Sequence, residues 1–296
     1  MAPVLLAPVN LSEGHDTGVI EAVASAFAGA GAKLLSTHVD ADHDRAVLTI
    51  AARQGRLAEA VVGGARVAAA GIDLRANAGV HPRVGAIDVA PVVHASHEGW
   101  GAACAEALVM ADRLGREVGV PVFLYGALAG GRTRAELRAG GLDGLIARIA
   151  NGEVAADFGP PVPDRVTGAT LVAARPPMVA FNLVLGAEVS LAQAKAVAAT
   201  VREGGAKGLP GVRALGLELR GQGIIQLSAN LEQPDAAGIA ELHGAVSELV
   251  TVRRGELVGL APRDVLDRIP AELEVPGLDP EMDSIEGCLR FHGLDD

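Results

Sequence analysis

Short apolar runs and longer amphipathic stretches alternate along this chain in the order strand, helix, strand, strand, helix, strand, and the order starts again near Met178. Val4 to Ala7 is apolar and flanked by proline, as a buried strand is. The run NLSEGHD follows, and Ser12 or Asp16 supplies the cap for a helix over about residues 16–30. Residues 33–39 and 46–51 read as strands separated by the charged turn DADHDR. A helix over about 55–71 sets Leu57, Val61, Ala65 and Ala68 on one face, and residues 86–93 read as the next strand. This is the split β-α-β-β-α-β order of a ferredoxin-like layer.

A long helix is expected over about 97–118, where Trp100, Cys104, Ala107, Ala111, Leu114 and Val118 recur at helical spacing. A strand over 120–126 and short helices over 133–150 follow, and the Pro-rich stretch 157–168 reads as a loop or linker. From Met178 the pattern repeats: strands in MVAFNLVL, VRALGLEL, IIQLSANL and 250–258, with helices over about 190–203 and 235–249. The two halves share no obvious sequence identity. The expectation is an α/β (α+β) chain of two tandem ferredoxin-like sandwiches, residues 1–177 and 178–296, with a Pro-rich hinge and a groove between them.

At 296 residues there is chain enough for one large or two modest domains, and 50% hydrophobic with 21% charged residues marks a globular composition. Aromatics are scarce (one Trp, one Tyr, five Phe), so Ala, Val and Leu must fill the core. A net charge of -11 with so few aromatics argues against a nucleic-acid stacking platform. Cys104 and Cys288 make neither a disulfide framework nor a zinc pattern. MAPVLLAPVN lacks the charged region of a signal peptide, and no uncharged apolar stretch is long enough for a membrane span. The expected location is the cytoplasm, with no membrane partner.

Four polar clusters interrupt the apolar strands. The first is Asn10, Ser12 and Glu13. The second, HVDADHDR, places His38, Asp40 and Asp42 on one side of an extended chain and adds His43, Asp44 and Arg45. It suits a metal site, an anionic pocket or a solvated turn. In the third, GVHPRVGAID, Pro82 keeps His81 extended, Gly79 and Gly85 permit close approach, and Arg83 and Asp88 stand nearby. A histidine so fixed serves as a general base near neutral pH or as a structural group. The fourth is the loop DFGPPVPDRVTG with Asp157, Asp164 and Arg165. No GxxxxGK[ST] loop is present, and GAGAK ends the first helix instead of opening one, so neither familiar phosphate cradle is here.

VNLSEG, HVDADHDRAV, GVHPRVGAIDVAP, PVFLYG, DFGPPVPDRVTGAT, ARPPMVAFNLVL, GLPGVRALGLEL, QLSANL and ELVGLAP follow one another in an order that resembles the glutamate formimidoyltransferase (formiminotransferase) family over nearly the whole chain. The likeness is to its stand-alone bacterial members, without a cyclodeaminase domain. The chain departs from the family pattern at Asp44 (Asn there), at PVVH ending in His94, at AAR before the second half, and at Leu11 (Phe there). The resemblance implies two α/β subdomains, usually dimeric. It implies transfer of a formimino group from N-formiminoglutamate to tetrahydrofolate, a co-substrate, with no permanently bound cofactor. It places the catalytic histidine at His81 and folate binding in the loop from Gly159 through Pro160 to Gly168.

That chemistry has its own demands. The attacking folate nitrogen sheds a proton and the departing glutamate nitrogen gains one, and a single neutral imidazole serves both, worth ~10²–10⁴-fold. A carboxylate beside the amidinium, Asp40 or Asp88, orients it. Substrate carboxylates call for arginine: Arg45, Arg83 and Arg175. Asn10, Glu13, His38 and Asn182 complete the candidate binding set. The reaction requires no metal or redox group. The competing readings are a folate-binding module without turnover, a related transferase with another formimino or formyl donor, and a metal-dependent hydrolase built on His38, Asp40, Asp42 and His43.

Overall fold

The computed structural model describes residues 2–79, 82–94 and 97–294. It divides into two compact units, one of residues 1–176 with 294–296 and one of residues 177–293. Among the described residues no helix is long and apolar enough to cross a membrane.

The first unit opens with β1 (Val4–Leu11), α1 (Thr17–Gly29), β2 (Lys33–Asp40), β3 (Arg45–Arg53), α2 (Leu57–Gly71) and β4 (Ile87–His94), the expected split order. Asp16 is the cap of α1, its carboxylate accepting from Val19 N at 3.1 Å. Ser12 is not a cap, because its hydroxyl donates to the Gly85 carbonyl at 2.7 Å. Ile20, Val23 and Phe27 of α1 and the Leu57, Val61, Ala65 and Ala68 stripe of α2 are buried together. Gly64 is required where the helices meet, since a Cβ there would strike the Phe27 ring.

Past β4 lie α3 (Trp100–Arg113), β5 (Val122–Leu124), α4 (Arg134–Arg138), α5 (Gly141–Ala150) and β6 (Thr170–Arg175). The anticipated long helix ends as an α-helix at Arg113, and one π turn, Leu114–Val118, carries the stripe to Gly119 in the left-handed region. The sheet order is β2-β3-β1-β4-β6-β5, with β4, β6 and β5 mutually parallel. β6 was not anticipated. Its run TLVAAR lies hard against the Pro-rich loop and reads from sequence as the loop's end. The stretch 157–168 lies wholly within the first unit and does not join the two.

The second unit repeats the split order with β7 (Val179–Leu185), α6 (Leu191–Val201), β8 (Val212–Leu219), β9 (Ile224–Leu231), α7 (Ile239–Ser247) and β10 (Val252–Val258). Its sheet order, β10-β7-β9-β8, matches β4-β1-β3-β2 of the first unit. Ser190 and Gln193 form a reciprocal capping box on α6. Phe181, Leu183 and Leu185 of β7 face one core with Ala194, Val197, Leu242 and Val246 of the helices. Two short helices, α8 (Arg263–Leu266) and α9 (Ile285–Phe291), follow.

Candidate active site at one edge of the first sheet

Strand register gathers the polar clusters. Asp40 pairs with Arg45, Leu11 with both Ala46 and Ile87, Val89 with Leu171, and Val122 with Thr170. The last residues of β1 and β2 and the first of β3, β4, β5 and β6 therefore share one edge. Cross-strand partners share a face. Asn10, His38, Asp40 and Arg45 thus lie on the face opposite the one packed by α1, α2 and α3.

Asp88 reaches this edge through a bulge. The register shifts between Asn10 and Leu11, so that Asp88 is an extra residue between Ile87 and Val89. A bulge re-aims its side chain. One Asp88 oxygen accepts from Val84 N at 2.7 Å, and the other pairs with the Arg138 guanidinium from α4. Asp88 is buried, and the Arg138 side chain nearly so. Arg134, one helical turn earlier, lies over the Tyr125 ring at 5.7 Å. Arg45 is close to both: burial first, then the charges of Arg138 and Arg134, push its guanidinium down to about 10 against the pull of Asp88 and Asp40. It stays charged at neutral pH, and three guanidinium groups share one neighbourhood.

The first three clusters are knitted together by Asp44 and Asn77. Asp44 is the one non-glycine among the described residues with positive φ, at 47°. Its carboxylate accepts from Gly14 N at 3.0 Å and Ala78 N at 3.3 Å. Asn77 donates to the carbonyls of Ser12 at 2.9 Å and Asp44 at 3.1 Å. Gly79 packs so closely that a Cβ would meet the His43 carbonyl. Half-buried Arg83 donates to the Gly79 carbonyl; burial lowers its pKa while Asp44 and Asp88 raise it. His81 lies outside the described residues.

Asp40 holds His43, accepting from its Nδ1 at 2.8 Å and from its backbone N–H at 2.8 Å. Burial would raise the Asp40 pKa, but these bonds and the nearby His43 and His38 bring it below the ordinary value. Among the described residues no group of three or more His, Cys, Asp or Glu side chains converges as metal ligands.

The loop divides between two places. Asp164 accepts from the backbone of Val166 and Thr167, which turns the chain so that Gly168 bridges Gly85 beside the site. Gly168 has φ +68 and no room for a Cβ beside the Val84 carbonyl. Gly159 sits instead against Gly115 of the π turn and Val120, followed by Pro160, next to the start of β5. Glu13 accepts from His15 N and Asp16 N, and Asn10 donates to the Pro8 carbonyl, so both hold the end of β1. Arg175 pairs with Val93 at the far end of β6, four residues or about 13 Å from Leu171. Asn182 belongs to the second unit. His94, at the far end of β4, packs edge-on to Trp100 with ring centroids 5.5 Å apart. Sequence reasoning missed Asn77, Arg134 and Arg138. The i, i+4 spacing of the two arginines was a usable signal, but the acidic partner of Arg138 lies 50 residues away.

The edge of the first sheet is thus cation-rich, with part of the Gly/Pro loop folded against it on a ferredoxin-like module. The formiminotransferase domain, N-terminal subdomain, matches residues 4–175. A glutamate formimidoyltransferase of Streptococcus pyogenes serotype M1 is 30% identical, covering 98% of this chain and 99% of its own. That of Thermoplasma acidophilum is 29% identical over 97% of this chain and 92% of its own. The formimidoyltransferase-cyclodeaminase of Gallus gallus is 32% identical over 90% of this chain, which spans about half (51%) of that longer relative. The chain belongs to the formiminotransferase family.

Proposed function

We propose that the chain is a glutamate formimidoyltransferase that moves a formimino group from N-formiminoglutamate to N5 of tetrahydrofolate and releases glutamate. The observation that carries the reading is the arginine cluster of Arg45, Arg134 and Arg138 around Asp88. Crowded guanidinium groups of like charge are relieved by an anion among them. Planar forks suit carboxylates, and both substrates end in glutamate. Both Asp88 oxygens are engaged, and Asp88 positions Arg138. Asp40 is held likewise by His43.

His81 supplies the imidazole. The folate amine attacks the amidinium carbon, and His81 takes the proton released from that nitrogen. It returns the proton to the glutamate nitrogen as the C–N bond breaks. Arg83 orients a carboxylate next to it, and the loop about Gly168 lies against the folate. The family resemblance extends the reading to a homodimer working in the cytoplasm, with tetrahydrofolate consumed as a second substrate and no resident cofactor.

The test is a spectroscopic transfer assay with N-formiminoglutamate and tetrahydrofolate, run beside other formimino and formyl donors. Saturable transfer from N-formiminoglutamate, preferred over the other donors, is expected. Tetrahydrofolate binding with no transfer from any donor would reduce the chain to a folate-binding module.

A further inference from the structure

Two donors in the first unit are buried without a partner, and both lie beside the arginine cluster. Tyr125 is 6% exposed, and its hydroxyl is buried with no hydrogen-bond partner among the described residues. The same is true of Nε of Arg138, whose Nη2 donates to Asp88. The sheet sets Tyr125 on the face that carries Arg45. Phe123 pairs with Leu171, and Tyr125 N donates to the Val172 carbonyl at 3.0 Å, so the chain keeps the register of β5 as far as Tyr125. Phe123 and Tyr125 belong to one core with Val89, Leu171 and Leu137 of α4, whereas Val122 and Leu124 turn to the core under α1, α2 and α3. Val89 pairs with Asn10 and Asn10 with Val47, two residues from Arg45, so all of these share the first face. Leu137, 2% exposed, anchors α4 there. Arg134 then lies over the Tyr125 ring at 5.7 Å, and Arg138, one turn on, meets Asp88.

Buried polar groups nearly always have a partner. A phenolic hydroxyl and a guanidinium Nε–H in one neighbourhood, with further guanidinium groups around them, suit an acceptor that carries negative charge. A carboxylate accepts about four hydrogen bonds through its two oxygens, and those from guanidinium are the strong ones. Asp88, the acid of this chain that pairs with Arg138, is filled by Arg138 Nη2 and Val84 N. That second bond also ties Asp88 to the segment that follows His81. Every group named lies within the first unit.

We infer that Tyr125 is a substrate-binding residue whose hydroxyl, together with Nε of Arg138, donates to a glutamyl carboxylate held by the arginine cluster. This rests on the formimidoyltransferase reading. Both the formimino donor and the tail of tetrahydrofolate carry such a carboxylate, and experiment separates the two sources. The test is calorimetric titration of wild-type protein and Tyr125→Phe with N-formimino-L-glutamate, L-glutamate, tetrahydrofolate and tetrahydropteroate, each alone. Tetrahydropteroate is the folate without its glutamate. Tyr125→Phe removes only the hydroxyl, so the Tm without ligand is expected to hold or rise. The Kd of the ligand whose carboxylate sits here is expected to rise about tenfold, as loss of a hydrogen bond to a charged group implies. A rise for N-formimino-L-glutamate and L-glutamate assigns the seat to the donor. A rise for tetrahydrofolate but not tetrahydropteroate assigns it to the folate tail. Arg138→Lys, which keeps the charge and loses Nε, is expected to weaken the same ligand. Unchanged affinity for both glutamyl substrates, equal weakening of tetrahydropteroate, or a Tyr125→Phe protein that fails to fold or melts lower without ligand overturns the inference and leaves the transferase reading intact. Wild-type protein that binds neither N-formimino-L-glutamate nor tetrahydrofolate overturns both.

Discussion

At the scale of single residues, the site depends on side chains that hold backbone. Asp44 occupies a left-handed conformation that only glycine, asparagine and aspartate adopt readily. An aspartate at this position therefore suits the turn, a preference legible in the sequence once the conformation is known. The pairing of Asp40 with His43 was not legible, because the sequence placed His38, Asp40 and Asp42 in a common row while the turn bends His43 back onto Asp40. That pair has a pH signature. Burial opposes ionisation of Asp40, yet its bonds from His43 hold its pKa below 3.8. A carboxyl whose folded pKa is depressed stabilises the fold above its unfolded value, and the contribution disappears as pH falls through the folded one. Asp40→Asn is therefore expected to be less stable than wild type in urea at pH 6, with the gap closing toward pH 3. A gap independent of pH would show that the charge of Asp40 contributes nothing.

At the scale of elements, the helices and most strands follow directly from apolar periodicity, as the α2 stripe shows. What periodicity misses is support that arrives from elsewhere in the chain. The N-terminus of α2 has no side-chain cap of its own. Glu106 of α3, 3% exposed, supplies one by accepting from Gly55 N at 2.7 Å and Ala58 N at 2.8 Å. Glu106 reads from sequence as an ordinary charged residue on a helix, since its partners lie 51 and 48 residues away. Replacing it by alanine strands two amides and is expected to lower stability by about 2–3 kcal/mol, measured by urea denaturation. A loss within the error of the measurement would mean that water replaces the cap. The bulge at Asp88 escaped notice for a similar reason: IDVAPVV reads as a plain strand, and only pairing with β1 reveals the extra residue.

At the scale of the whole molecule, the restart of the strand-helix order is what made the architecture readable. Each unit has its own core and its own 4-1-3-2 sheet, and the order alone predicts both. The extension of the first sheet by β6 and β5 was hidden behind the Pro-rich loop, and with it the placement of α4 and its arginines. The two modules carry different chemistry on the faces opposite α1 and α2 in the first and α6 and α7 in the second. The first gathers guanidinium groups around Asp88, and the second presents Glu256 between two amides.

The central claim is that His81 ferries the proton between the incoming and outgoing nitrogens. The most direct test is the turnover of His81→Ala with N-formiminoglutamate and tetrahydrofolate at saturation. The account predicts a kcat lowered by ~10²–10⁴-fold with an unchanged Tm. A kcat within about twofold of wild type, well short of what general-base catalysis contributes, would contradict it.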